Sequence, residues 1–250
     1  MTSQPVLRCE GISFRIGSRQ ILDGIDFSAR AGEICGIVGP NGSGKSMFLN
    51  VISGFVKPQA GQIVLDGRNV SGTAPFRRAR AGLGRSFQRV RIVETATAAE
   101  NVEAGLLMQH SPGGMLASLG LCRREGSAEE VRRALERVQA AEFSDWPVRY
   151  LSGGTRRKVE VARAIVGKPK VLLVDEPTGG VSSAHILALE RVLREEAEQG
   201  AAVVIVDHNL EFIGKIAPRV VVFVAGREVF QGTPAAAWSD PRVIEAYLGK

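Results

Sequence analysis

The chain has 250 residues with a formal net charge of +6, and 44% of them are hydrophobic, as in an ordinary globular core. No run of 18 or more apolar residues occurs and the N-terminus lacks the pattern of a signal peptide, so we expect a cytoplasmic protein without a transmembrane helix. The positive charge is compatible with nucleic acid, an anionic membrane surface or a nucleotide, and does not choose among them. The cysteines are isolated and lack metal-ligand spacing, which predicts reduced apolar side chains at Cys9, Cys35 and Cys122.

The first segment, residues 6–31, alternates loosely between apolar and polar residues. This pattern favours β-strands, with turns predicted at Gly17–Ser18 and Asp23–Gly24. One face of the second strand is apolar, because alternate side chains share a face: Ile25, Phe27 and Ala29. Together with a further predicted strand over 62–65, these strands predict a small antiparallel β layer.

A glycine-rich stretch follows the apolar residues 34–38, a predicted buried strand, and precedes a predicted helix that starts near Met47 and ends near Gly54. Strand, glycine-rich loop and helix form the context of a phosphate-binding loop, because backbone N–H groups and the helix N-terminus then surround an anion. Lys45 would reach the β- and γ-phosphates, and the Ser46 hydroxyl would ligate Mg²⁺. The loop has the spacing Gly, four residues, Gly-Lys-Ser: Gly39, Pro40, Asn41, Gly42, Ser43, Gly44, Lys45 and Ser46.

Helical character dominates after about residue 87. Ser127 and Glu130 have the spacing of a capping box, and an apolar stripe at helical spacing follows them. Residues 111–126 are predicted to be a loop or a short helix. A further helix is predicted from near Ser152 to Gly167, because a proline stands just beyond it.

The Leu151-Ser152-Gly153-Gly154 stretch lies at the start of that helix. Ser152 is a favourable N-cap, so a purely local capping role is one alternative. Two consecutive glycines in a first turn lower helix stability. They are expected where backbone N–H groups must approach an anion closely.

Two carboxylates end the next apolar strand, predicted over 171–174: Asp175 and Glu176. Ligands of α/β sheets bind at this carboxyl edge. Alone, two acids after a strand are equally typical of a loop or a helix cap, but the phosphate loop upstream favours a catalytic role. Asp175 is the candidate Mg²⁺ ligand, and Glu176 is the candidate general base that polarises the attacking water.

The remaining chain alternates between helices and apolar strands, with strands predicted over 202–206, 220–224 and 228–230 and a helix over 184–199. This alternation predicts a mainly parallel sheet that is covered on both faces.

The order of these motifs resembles that of ATP-binding-cassette (ABC) ATPases over nearly the whole chain. The motifs are the phosphate loop, Gln88, the Ser152–Gly154 signature, Asp175–Glu176 with Pro177–Thr178, and His208. The resemblance implies an α/β fold with a phosphate-loop (RecA-like) core over 1–88 and 152–250, an antiparallel β layer, and an inserted helical subdomain over 89–151. It also implies ATP and Mg²⁺ as cofactors.

The resemblance further implies a head-to-tail dimer in which each ATP lies between one subunit's phosphate loop and the other's signature. Ser152, Gly153 and Gly154 would then contact the γ-phosphate of an ATP held by the partner. Gln88 would belong to the Mg²⁺ site with Ser46 and Asp175 and link it to membrane subunits. His208 would contact the γ-phosphate and act in catalysis with Glu176 and Lys45. His110 and His185 match no motif and are predicted to be ordinary surface residues.

Several segments are similar to the ATPases of branched-chain amino acid importers: 82–88, 99–102, 157–164 and the tail 232–249. Lipopolysaccharide-export ATPases share parts of the signature helix and of the Asp207–Asn209 region, and remain an alternative. The resemblance implies membrane permease subunits, a second ABC ATPase subunit and, indirectly, a solute-binding protein as partners, at the cytoplasmic face of the plasma membrane. The transported solute and the choice between homodimer and heterodimer stay open.

Three positions depart from the family pattern. Thr155 stands where a glutamine is usual, and Ser182 replaces the aspartate that couples the two ATP sites. Ile16 stands where an aromatic residue stacks on adenine, and Phe14, two residues earlier, is a possible substitute. Loss of stacking would weaken ATP binding and relax base preference.

The basic segment after residue 84 alternates arginines with apolar residues: Arg85, Arg89 and Arg91 with Phe87, Val90 and Ile92. It is either a half-buried edge or the contact with a cytoplasmic helix of a membrane subunit. Nucleic acid is not expected as a partner, because no aromatic platform or recognition motif accompanies the charge.

Two other classes remain as alternatives. Soluble ABC ATPases that act on DNA or ribosomes usually carry coiled coils, zinc insertions or tandem cassettes, which this sequence lacks. A degenerate regulatory module is disfavoured, because the catalytic candidates are intact.

Overall fold

The computed structural model describes residues 4–88, 91–110, 126–179 and 182–248. Arg89, Val90, Val181, Gly249 and the segment 111–125 with Cys122 lie outside the described residues, as does the side chain of His110. No helix within the described ranges is long and apolar enough to span a membrane.

Ten strands form two sheets in the described part of the chain. The strands are β1 Leu7–Ile16, β2 Arg19–Ala29, β3 Ile34–Val38, β4 Ala60–Leu65, β5 Arg68–Asn69, β6 Leu83–Arg85, β7 Val171–Asp175, β8 Ala202–Val206, β9 Arg219–Val224 and β10 Arg227–Gly232. The first sheet has the order β2-β1-β4-β5 and is antiparallel. This sheet confirms the predicted β layer.

The second sheet has the order β10-β9-β3-β8-β7-β6, and only its edge strand β10 is antiparallel. Every residue of β3, β7 and β8 is buried, which explains why these strands are continuous apolar runs. The alternate residues Cys35 and Ile37 face an apolar cluster shared with the antiparallel sheet, and Ile34 and Val38 face a second cluster shared with the helices. The prediction of a mainly parallel sheet that is covered on both faces is confirmed.

The first helix packs between the two sheets, and most of the others cover the opposite face of the second sheet or continue away from it. They are α1 Lys45–Ile52, α2 Pro75–Arg80, α3 Ala98–His110, α4 Ser127–Arg137, α5 Gly153–Ile165, α6 Ser183–Glu198, α7 Leu210–Ile216, α8 Pro234–Ser239 and α9 Pro241–Leu248. Helices α3, α4 and α5 pack on one another through buried apolar side chains: Val102, Leu106, Val131, Leu135 and Val159.

Two local predictions were wrong. Asp23–Gly24 is not a turn, because β2 continues through it as an irregular strand in which Gly24 has φ +65°. Ser127 is not an N-cap: Gly126, with φ +88°, precedes the helix, Ser127 is its first residue, and the Ser127 hydroxyl contacts Glu103 instead. A glycine that adopts the left-handed region can start the helix one residue earlier than the serine pattern suggests.

Candidate functional site

The glycine-rich loop joins the buried strand β3 to the N-terminus of α1, and two of its glycines are required by close contacts. A Cβ atom on Gly39 would lie 2.1 Å from the Phe223 carbonyl oxygen, and one on Gly44 would lie 2.8 Å from the Ile21 carbonyl oxygen. Both glycines have positive φ, +149° and +102°. Because no side chain fits at these two positions, the loop backbone can pack closely against β9 and β2 in a conformation suited to surrounding an anion.

Lys45 is buried and reaches back across the loop. Its Nζ donates to the carbonyl oxygens of Gly39 and Pro40 at 2.7 and 2.9 Å, and lies 3.4 Å from the Ser43 Oγ. Burial lowers the pKa of Lys45, whereas the nearby carboxylates of Glu176 and Asp175 oppose that shift. A cation held over the loop in this way fits the charge of a triphosphate.

Asp175 ends strand β7 and is almost fully buried. Its Oδ1 accepts a hydrogen bond from the Ser46 hydroxyl at 3.2 Å, so the loop and the sheet edge present two oxygen ligands together. Such an oxygen pair fits Mg²⁺, which proteins bind through one or two carboxylates together with substrate phosphates. Burial raises the pKa of Asp175, and Arg85 and the Ser46 hydroxyl oppose that rise.

Arg85, the first arginine of the alternating segment, ends the edge strand β6 of the second sheet. Its guanidinium is buried, lies 3.4 Å from the Asp175 carboxylate and donates to Asn50 Oδ1 at 2.9 Å. Burial lowers its pKa to about 10. Strand β6 ends at Arg85, so the predicted β-like alternation does not continue beyond it.

Glu176 follows Asp175 in a left-handed backbone conformation, with φ +46°. Its amide donates to the Val206 carbonyl at 2.7 Å, which fixes the residue to the adjacent strand β8. Gln88 Nε2 donates to Glu176 Oε2 at 2.7 Å, although the two residues are far apart in sequence. A left-handed non-glycine residue costs about 1–3 kcal/mol and is typical of functional sites.

His208 is 60% exposed and lies at the end of β8, where its Nδ1 is 3.7 Å from Asp207 Oδ1. Asp207 is fully buried, accepts hydrogen bonds from the amide and hydroxyl of Thr178, and accepts one from the Asn209 amide. Asp207 had no predicted role in the site. It ties the segment after Glu176 to the segment that carries His208.

One cleft brings the phosphate loop and the general-base candidate together. Its lining residues are Arg19, Ile21, Asn41, Gly42, Ser43, Gly44, Lys45, Ser46, Met47 and Glu176. The cleft does not include His208 or the signature residues 152–154. Arg19 and Ile21 come from β2 and had no predicted role.

The signature residues lie at the start of α5. Ser152 is the N-cap, and its Oγ accepts from the Thr155 amide at 3.1 Å. A Cβ atom on Gly153 would meet nothing within 4 Å, whereas one on Gly154 would lie 3.0 Å from the His185 ring. His185, predicted to be an ordinary surface residue, is half-buried, lies next to Gly154 and forms a 2.6 Å hydrogen bond with the Ser182 hydroxyl.

Helix α5 also holds the segment around Gln88. Arg157 donates to the carbonyl oxygens of Phe87 and Gln88 at 2.9 and 3.1 Å. Glu160 is fully buried and accepts from the amides of Phe87 and Arg91 at 3.3 and 3.1 Å. The sequence signal for Glu160 was a carboxylate between the apolar residues of a buried helix face, which we did not interpret.

Comparisons with known proteins identify the family. Residues 22–179 match the family model described as ABC transporter. The chain is 30% identical to the high-affinity branched-chain amino acid transport ATP-binding protein BraF of Pseudomonas aeruginosa, and 31% identical to LivG of Salmonella typhimurium, with 99% of each chain covered. It is also 30% identical to the lipopolysaccharide export system ATP-binding protein LptB of Haemophilus influenzae, with 98% of each chain covered.

Solved structures give the same result. A nucleotide-free ATP-binding cassette from an ABC transporter is 28% identical with a TM-score of 0.87, and covers 99% of this chain and 100% of its own. The ADP conformation of another such cassette is 29% identical with a TM-score of 0.86, at the same coverage. The chain therefore belongs to the ABC transporter family as an ATP-binding-cassette ATPase, which uses ATP and Mg²⁺ and couples ATP hydrolysis to transport.

Proposed function

We propose that this chain is an ATPase subunit of an importer for branched-chain or related amino acids. The observation that carries the proposal is the similarity to BraF and LivG, which extends over 99% of the chain. Import would be powered by ATP hydrolysis here, while the solute would be recognised by a separate binding protein and by the permease subunits.

In the proposed site, the backbone amides of residues 39–46 bind the triphosphate. Lys45 exchanges the Gly39 and Pro40 carbonyl oxygens for phosphate oxygens, since a buried ammonium needs an acceptor in both states. Ser46, Asp175 and Gln88 are the residues that would hold Mg²⁺, which supplies charge neutralisation on the phosphates when bound.

Glu176 is the proposed general base. Its backbone is fixed by the Val206 carbonyl and its carboxylate by Gln88, so the carboxylate is presented at the edge of the phosphate-loop cleft. His208 is proposed to contact the γ-phosphate and orient the water, and its exposed ring leaves it free to do so. A positioned base of this kind accelerates a reaction about 10²–10⁴-fold.

ATPases of ABC transporters act as dimers together with membrane permeases. We propose that residues 152–154 bind the γ-phosphate of an ATP held by the partner subunit. Two observations support this role: the signature lies outside its own chain's phosphate-loop cleft, and the space around Gly153 is open. A second, related ATPase in a heterodimer would accommodate the Thr155 and Ser182 departures.

A groove between α2, α3 and the Gln88 segment is the proposed contact for a cytoplasmic helix of a permease subunit. The groove residues include Phe55, Phe87, Arg91, Met108 and Arg163. Phe55 and Met108 are about half exposed, and the Arg91 guanidinium lies 4.7 Å from the Phe87 ring centroid. This contact would hold the ATPase at the cytoplasmic face of the plasma membrane. The division into a core of 1–88 and 152–250 and a helical subdomain of 89–151 remains part of the proposal.

A second candidate is the ATPase of a lipopolysaccharide exporter, which the similarity to LptB favours. Both candidates predict an ATP-driven dimer, and they differ in the membrane proteins that it binds.

Co-purification separates the two candidates. The tagged Glu176→Gln variant is expressed in the native host, membranes are solubilised with ATP present, and the bound proteins are identified by mass spectrometry. The importer proposal expects two amino acid permease subunits and a second ABC ATPase. Recovery of lipid-export membrane proteins with this ATPase alone would support the second candidate, and recovery of no membrane protein would contradict both.

A further inference from the structure

The nucleoside end of the phosphate-loop cleft contains an arginine in place of an aromatic platform. Ile16, the position at which the aromatic residue was expected, is 58% exposed. Phe14, the possible substitute, is partly buried against the apolar cluster between the two sheets and does not line the cleft. Ile16 is paired across the β1–β2 hairpin with Arg19, which lines the cleft.

The position of Arg19 follows from how β2 is held against the loop. The Ile21 carbonyl oxygen lies against Gly44 and Gly226, and the Gly226 amide donates to the Ser43 carbonyl at 3.1 Å. Arg19 is two residues before Ile21, so the two side chains share a face of the strand about 7 Å apart. Within the described ranges, the Arg19 side chain has no hydrogen bond or ion pair that would hold it elsewhere.

We propose that Arg19 is the residue that binds the purine base, with its guanidinium stacked on the ring and the Ile16 side chain beside it. Lys45, Ser46 and Glu176 occupy the phosphate end of the cleft, which leaves Arg19 and Ile21 for the nucleoside. An arginine stacks on a base through its planar cation and does not need a second aromatic ring. This inference rests on the proposed role of residues 39–46 in holding the triphosphate.

The chemistry of arginine also determines which base it accepts. A guanidinium stacked on the ring contacts the face that every purine offers and does not reach the edge groups that distinguish guanine from adenine. The cleft therefore binds GTP about as well as ATP, and the subunit is a purine nucleoside triphosphatase of relaxed base preference.

The test is isothermal titration calorimetry of the purified full chain in the Glu176→Gln background, which keeps the nucleotide intact. The probes are Mg-ATP, Mg-GTP and Mg-tripolyphosphate, which has the phosphates but no base. Arg19→Ala is expected to weaken ATP and GTP binding about tenfold. Tripolyphosphate binding changes less than about twofold, because the phosphate loop is unaltered.

Two further variants separate stacking from charge. Arg19→Lys keeps the charge but loses the planar group, so its ATP affinity stays close to that of Arg19→Ala. Ile16→Tyr added to Arg19→Ala restores ATP affinity to within about threefold, because an aromatic ring supplies the stacking directly.

The outcomes distinguish the two levels of inference. Three outcomes would overturn the role of Arg19 alone. They are unchanged ATP affinity in Arg19→Ala, equal losses of ATP affinity and tripolyphosphate affinity in that variant, and GTP binding by the unsubstituted chain that is more than about tenfold weaker than its ATP binding. Failure of the unsubstituted chain to bind tripolyphosphate and ATP would overturn the phosphate site as well, and the inference with it.

Discussion

Gly153 has no steric reason within its own chain to be a glycine. Its φ is not positive, and a Cβ atom there would meet nothing within 4 Å. Gly154 differs, because a Cβ atom would press on the His185 ring at 3.0 Å. Because the monomer does not require this glycine, substituting it tests the proposed approach of the partner's nucleotide without disturbing the fold.

Gly153→Ala is therefore expected to leave the subunit as stable as the wild type or to stabilise it by up to about 1 kcal/mol, since alanine reduces the entropy of the unfolded chain. ATPase activity of the assembled transporter should fall at least about tenfold, because a methyl group would separate the signature from the partner's nucleotide. Thermal unfolding and steady-state hydrolysis measure the two effects.

Gly72 provides the matched control, because it too has open space around a Cβ atom and a φ that is not positive. Gly72→Ala should leave hydrolysis unchanged. Wild-type hydrolysis by Gly153→Ala would show that no nucleotide approaches this glycine.

Glu176 is held by two hydrogen bonds that do not depend on its charge, since its amide donates to Val206 and one oxygen accepts from Gln88. Glu176→Gln should therefore keep the fold and the ATP affinity while it removes the base, and turnover should fall at least about 100-fold. A nucleotide-binding titration and phosphate release in a single preparation measure both quantities. Wild-type turnover in this variant would exclude Glu176 as the general base.

At the scale of elements, helix α5 connects the two parts of the site. Its N-terminus carries the signature, and its next two turns hold the Gln88 segment through Arg157 and Glu160. We expect a displacement of the signature to reach Gln88 through the Arg157 side chain, and Glu176 through the Gln88 side chain. Glu160 is the more informative residue to change, because it is fully buried and its Oε2 has no hydrogen-bond partner in the described part of the chain.

Glu160→Ala is expected to destabilise the protein by about 1–3 kcal/mol, because two buried amides lose their acceptor. Glu160→Gln keeps an acceptor oxygen and should retain the fold. Burial raises the pKa of Glu160 despite the amides of Arg91 and Phe87 and the nearby arginines. The folded state therefore binds this proton more readily than the unfolded state does.

The sign of the pH dependence follows. The Glu160 contribution to stability is greatest below the ordinary carboxyl pKa and declines as pH rises through the raised pKa of the folded state. Denaturant unfolding between pH 4 and 8 should show a decline in the wild type that is smaller in Glu160→Gln. Equal pH dependence in the two proteins would mean that Glu160 is ionised as easily in the folded state as in the unfolded state.

Features whose residues are consecutive in the sequence were predicted, and features that join distant residues were not. The phosphate loop and the strands 171–175 and 202–206 were predicted because their signals lie in consecutive residues. The contacts of Arg85 with Asp175 and of Arg157 with Gln88 join residues 90 and 69 positions apart, so no local pattern reveals them. The alternation around Arg85 left two interpretations open for the same reason: period-two spacing gives the faces of a strand but not which element covers them.

At the scale of the molecule, the groove beside the Gln88 segment connects the nucleotide site to its exterior. Phe87 forms one wall and lies 5.4 Å from the Phe55 ring, with the guanidiniums of Arg85 and Arg91 over the two rings. The Arg85 guanidinium also contacts Asp175, so one side chain touches both the groove and the proposed Mg²⁺ ligand. A helix seated in this groove would therefore lie one side chain away from the catalytic centre.

Phe55→Asp tests whether a permease occupies this groove. Phe55 is 48% exposed, so an aspartate can stay hydrated in the free subunit, but it would be desolvated beneath a bound helix at a cost of several kcal/mol. We expect at least a tenfold loss of co-purified permease. Nucleotide affinity of the free subunit is measured alongside, because Phe55 lies under the Arg85 guanidinium that contacts Asp175. Ile244→Asp is the matched control, since Ile244 is similarly exposed, at 42%, and lies outside the groove on α9. Retention of the permease by both variants would place the membrane contact elsewhere on the subunit, whereas loss in Phe55→Asp alone would assign it to the groove.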